Sequence, residues 1–139
     1  MREYTMRGTM LPTEQTRSLV VDDGRYTHGF VITGITVWPS APSMPAGYNA
    51  NAVLSFLETK PATMNASESG TIGWASWMEG TTSDVSTSSV LDPQHVVNED
   101  LFLHNMGGTA MNYLITMRPI VMSPEQGVLQ LIKAANQSV

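Results

Sequence analysis

From Glu3 to Met10 the chain reads EYTMRGTM, with Tyr4, Met6, Gly8 and Met10 at one parity and Glu3, Thr5, Arg7 and Thr9 at the other. A period of two commits a segment to a half-buried strand, because successive side chains leave an extended backbone on opposite faces. The same period returns near the end in AMNYLITMR. There Met111, Tyr113, Ile115 and Met117 share a face opposite Asn112, Thr116 and Arg118. Between these two lie RSLVV, FVITGITVW (Phe30 to Trp38), AVLSFLE, TIGWASWM (Thr71 to Met78) and HVVNEDLFLH. FVITGITVW is apolar at both parities and β-branched, which predicts a central strand, with Gly34 marking a bulge. Pro39, Pro42 and Pro45 break the segment after it, and EGTTSDVSTSS reads as a flexible polar loop. About seven or eight short strands separated by turn signals predict one all-β domain over residues 1–139. The expected architecture is an antiparallel β-sandwich or jelly-roll-like fold, with residues 1–122 as its β region.

The period changes only at the end. Ser123 is a natural N-cap, Pro124 suits the first helical position, and Gln126 completes a capping box. Val128, Leu131, Ile132 and Ala135 then recur at helical spacing, predicting a short amphipathic helix over 123–138. Its apolar face must be covered by the sandwich or by a neighbouring subunit. Trp74 and Trp77 differ in parity, so one belongs to the core and the other to the surface or an interface. Val128, Leu131, Ile132 and Trp77 are therefore the interface candidates. The ten methionines fall mostly on strand faces, where they serve as adaptable core filling.

Charged residues make up only 14% of the chain, against about 25% in an ordinary soluble domain. A surface so poor in charge suits a subunit packed against other proteins, and equally a polar extracellular β domain. The net charge is −5 and the seven basic residues are scattered, which argues against direct binding to nucleic acid through its phosphates. There is no cysteine, so disulfides, thiolate catalysis and thiolate metal sites are all excluded. No apolar run approaches the roughly 20 residues a membrane-spanning helix needs, and MREYTMRGTM lacks the apolar stretch of a signal peptide.

The stretch that looks most like a site is VVDDGRYTHGF, residues 20–30. Asp22, Asp23 and His28 are hard and borderline metal ligands, and His95 in LDPQHVVNED is a fourth candidate. The plainer explanation of Asp22-Asp23-Gly24 is a hairpin turn, since those residues tolerate positive φ and bond to their own backbone. His95 and His104 are nine apart, not the three or four of helical zinc motifs. There is no nucleophile elbow and no phosphate-binding glycine motif. The expectation is a non-enzymatic protein without a metal or cofactor.

Three stretches carry a resemblance: VVDDGRYTHGFVITGITVWP, VLDPQHVVNEDLFLH and NYLITMRPIVMSPEQGVLQLIK. With a DDGR turn before a long strand, a later DPxHVV segment and a closing helix, the chain resembles small proteins encoded in the structural modules of tailed bacteriophages, many of them marine. The resemblance implies a virion component, assembled in the host cytoplasm. Size and fold favour a capsid cement or decoration protein that bridges neighbouring subunits, with the major capsid protein or another virion protein as partner. It also implies a homo-oligomer in a symmetric assembly. The alternatives are a tail, neck or baseplate component, or a carbohydrate- or receptor-binding β module. Exposed tryptophan in a groove would favour the last.

Overall fold

The computed structural model describes residues 3–19, 28–40, 49–67, 70–79, 85–97, 100–107 and 109–121, together with Glu125, Val128 and Leu129. Among them are the strands β1 (Tyr4–Met10), β2 (Thr16–Leu19), β3 (His28–Pro39) and β4 (Asn49–Ser55). Four more follow: β5 (Thr71–Glu79), β6 (Val85–Leu91), β7 (Leu101–Asn105) and β8 (Met111–Val121). They form two antiparallel sheets, of order β1-β8-β3 and β2-β7-β4-β5-β6. The fold is all-β.

The alternation in the sequence maps directly onto the core. Met111, Tyr113, Ile115 and Met117 of β8 are buried, as is Met10 at the end of β1. They meet Ile32, Ile35 and Val37 of β3, and Ala50, Ala52, Leu54, Ile72, Ala75, Leu101 and Leu103 of the second sheet, in one hydrophobic cluster. Burying one large aliphatic side chain of this kind contributes about 1.5–3 kcal/mol, which makes this face the main source of stability. The small residues Ala50, Ala52 and Ala75 lie on β4 and β5 where β3 packs across them.

Two strand expectations are corrected. The run from Phe30 to Trp38 is not a central strand: β3 is an edge of the three-stranded sheet, and β8 occupies the middle. The register supplies the reason. Ile32 faces Met117 and Gly34 faces Thr116, so Thr33 is an extra residue in a bulge. The bulge switches parity, so Ile32 before it and Ile35 and Val37 after it all point inward. A one-faced strand with a parity switch looks two-faced in sequence.

The second correction concerns EGTTSDVSTSS. Its latter part is strand β6, paired with β5 along Val85 to Leu91. Residues 85–90 are all exposed, so no face of β6 has to be apolar and the sequence carries no alternation to betray it. Backbone pairing holds it, with only Leu91 at its end packed against the core.

Of the expected helix over 123–138, Glu125, Val128 and Leu129 are described. Their backbone is helical, and Val128 and Leu129 are exposed on this chain. Leu131 and Ile132 lie outside the described residues.

Candidate functional site

Among the described residues, those singled out in the sequence form no metal-ligand cluster. Asp22 and Asp23 lie outside the described residues. His28 opens β3, half-buried, opposite Val121 of β8. His95 precedes β7, and its ring is buried against the edge of β3. Among the described residues, no three of His, Cys, Asp or Glu come together as a metal would require.

His95 has a different task. The Asp92-Pro93 turn is closed by the Asp92 side chain, whose Oδ1 accepts from the Gln94 N–H at 2.9 Å. This turn aims the ring of His95 at β3. The Ile32 N–H donates to His95 Nε2 at 2.9 Å, while Nδ1–H donates to the Asp92 carbonyl. Both ring nitrogens are thereby used, and the tautomer is set with the proton on Nδ1. Beside it, Phe30 and Val97 exchange two backbone hydrogen bonds of 2.7 Å. Together these cover the first half of the exposed edge of β3 with ordered polar partners. The sequence signal for this role was the Asp-Pro turn three residues before the histidine.

His104 carries the other buried polar cluster, which sequence reasoning missed. It lies on β7 directly opposite Thr16 of β2 and Val53 of β4, on the face of the sheet turned away from the main cluster. Even so, His104, Val53 and Ser55 are all buried, because the chain leaving β4 turns back over them. The Leu57 carbonyl lies 2.9 Å from His104 Nε2, and a carbonyl only accepts, so Nε2 carries the proton. Nδ1 then accepts from Thr16 Oγ1–H at 2.9 Å. Burial holds the imidazole below its ordinary range; the bond to Leu57 opposes this, and the nearby charge of Lys60 adds to it.

Ser55 Oγ sits 3.0 Å from His104 Nε2, which invites comparison with a catalytic serine–histidine pair. The proton is on the wrong nitrogen for that. A general base needs a free Nε2 lone pair facing the hydroxyl, whereas here Nε2–H points to Leu57 and Ser55 Oγ also accepts from the Leu57 N–H at 3.2 Å. Both side chains are sealed from solvent. The cluster ties β2, β4 and β7 together.

A third polar cluster joins the two sheets. Arg17 of β2 makes a bidentate pair with Glu14 (2.9 and 2.6 Å) and donates to the Thr9 carbonyl at 2.9 Å and to Tyr113 Oη at 3.2 Å. The Tyr113 ring reaches it by lying over Gly8, where any Cβ would come within 2.8 Å of the phenol oxygen. Gly8 is required by this close approach.

Two surfaces remain with features that water alone does not explain. On the β5–β6 flank, Val85 and Val90 of the uncharged edge strand β6 are 55% and 60% exposed, and Met78 of the neighbouring β5 is 54% exposed. On the outer face of the other sheet, Thr9, Asn112 and Trp38 form one cross-strand row, with the Thr9 hydroxyl donating to Asn112 Oδ1 at 2.6 Å. Trp38 is 38% exposed and lines an open depression of about 480 Å³ with Arg7, Thr9, Asn112 and Leu114. Trp77, by contrast, is engaged by the chain's own core.

No protein-family model matches the chain, and no curated protein matches it.

Proposed function

We propose that this protein is a non-catalytic assembly subunit, and that in the setting its sequence resembles it is a capsid cement or decoration protein of a tailed bacteriophage. The observation that carries the reading is the β5–β6 flank, where Val85 and Val90 stand exposed on the uncharged edge strand β6 and Met78 stands exposed on β5 beside it. Apolar surface of this kind, beside an open strand edge, is what a protein-contacting face requires. The strand orders β1-β8-β3 and β2-β7-β4-β5-β6 support a jelly-roll-like sandwich in which β6 is added beside β5, an architecture related to those of viral capsid and lectin domains. This is support by analogy of fold. The helix expected from the sequence over 123–138 would add a second contact element, with Val128 and Leu129 exposed on this chain.

A single domain of this size offers limited contact area, so one interface alone binds weakly, while contacts to two neighbours add through effective concentration. Purified protein mixed with stripped particles should therefore be retained far better than by dissociated capsid subunits. Val90→Asp should abolish the retention without unfolding the domain. Equal retention by both preparations, or wild-type retention by Val90→Asp, refutes the reading.

The depression beside Trp38 favours a second reading, a glycan-binding module. An exposed indole offers an apolar face to a sugar ring, and Asn112, Thr9 and Arg7 offer hydroxyl partners. Saturable binding to a host glycan that is lost in Trp38→Ala would promote this reading over the first.

A further inference from the structure

We infer that β6 is a dimerisation edge, on which a second copy of this chain pairs antiparallel about a two-fold axis through Ser88. The inference rests on the reading of the protein as an assembly subunit and names the partner of the same flank.

The four sheet edges are treated differently. The edge of β3 is covered over its first half by Val97 and the His95 ring. β1 carries Arg7 in mid-strand, and β2 is four residues long with Arg17 in it. Cover, charge and shortness are the usual protections against edge-to-edge pairing. β6 has none of them: VSTSSVL is seven residues without charge or proline, and exposed from Val85 to Val90.

The direction of its free hydrogen-bonding groups then selects the register. The Asp92 N–H donates to the Ile72 carbonyl of β5 at 2.8 Å. Groups on an antiparallel strand alternate in direction, so Val90, Ser88 and Ser86 also turn toward β5. Leu91, Ser89, Thr87 and Val85 turn their N–H and C=O groups outward. A second copy must present those same residues in return, which places the two-fold axis on a residue rather than between two. The axis through Ser88 is the one that uses the whole strand. It pairs Val85 with Leu91, Ser86 with Val90 and Thr87 with Ser89 of the second copy, and Ser88 with itself. Between Val85 and Leu91, apolar residues meet at both ends, hydroxyls meet in the middle, and no like charges are opposed. The result joins the two five-stranded sheets into one continuous sheet.

The register is tested by cross-linking, since the chain has no cysteine of its own. Across the axis the two Ser88 residues form a non-hydrogen-bonded pair, with Cα atoms about 4.5 Å apart, within disulfide reach. Ser88→Cys should therefore oxidise to a covalent dimer, while Ser86→Cys, facing Val90 of the other copy and four residues along the strand from its own symmetry mate, should not. Thr87→Pro removes an outward N–H but none directed at β5, so it should leave the domain folded and give a monomer in sedimentation. A wild-type protein that sediments as a monomer throughout the micromolar range refutes the inference, as does equal cross-linking of the two cysteine variants. Retention on particles is read separately. A monomer that still binds the lattice overturns the pairing and keeps the assembly reading, while a dimer that binds no lattice does the reverse.

Discussion

Replacing His104 with leucine removes the centre of the polar cluster while keeping most of its volume. The Leu57 carbonyl would lose one of its two donors and keep the Ser55 hydroxyl at 3.0 Å, at a cost of about 0.5–1.5 kcal/mol. The Thr16 hydroxyl would lose an acceptor, worth about 0.5–1.5 kcal/mol, and the apolar side chain recovers part of the sum. We expect His104→Leu to lower stability by about 1–2 kcal/mol at pH 7.5, measured by urea unfolding with an unchanged m value. The advantage of the wild type must then shrink in acid. Burial depresses the folded-state pKa of His104 below its unfolded value of 6.5. At pH 7.5 the ring is neutral in both states and no penalty exists. As the pH falls below 6.5, the unfolded chain takes up a proton that the folded chain refuses. Stability therefore falls by up to about 1.4 kcal/mol per pH unit, until the folded-state pKa is reached. By pH 5.5 the difference between wild type and His104→Leu should have narrowed by up to about 1.4 kcal/mol. A difference that stays constant or grows from pH 7.5 to 5.5 would refute the assignment of a neutral, sealed imidazole. A cost under about 0.5 kcal/mol at pH 7.5 would refute its structural role.

Gly8→Ala places a methyl group within 2.8 Å of Tyr113 Oη, whose position is held by Arg17. It should cost about 1–3 kcal/mol in thermal or urea unfolding, and Tyr113→Phe in the same background should recover part of that loss by removing the clashing oxygen. Ile115→Ala, at the centre of β8 and fully buried, should cost about 2–5 kcal/mol in the same assay.

Much of the fold was legible because burial on one face of a strand writes itself into the sequence. Met111, Tyr113, Ile115 and Met117 alternate with polar residues, and all four are buried in the structure. Gly34 announced the irregularity in β3, and the Asp92-Pro93 turn announced a fixed loop before His95. The absence of cysteine, the sparse charge and the all-β class followed from residue types alone.

What tertiary structure decided is whatever depends on partners distant in sequence. Thr33 flips the parity of its strand only because β8 skips it, so an edge strand passed for a central one. β6 was invisible because a strand exposed on both faces is held by backbone groups that every residue possesses. His104 has no role until Thr16, Ser55 and Leu57, between 47 and 88 residues away, close around it. Local pattern records which face of a segment meets the core. It carries no record of which neighbour lies across the sheet, and the chemistry of a buried side chain is set by that neighbour.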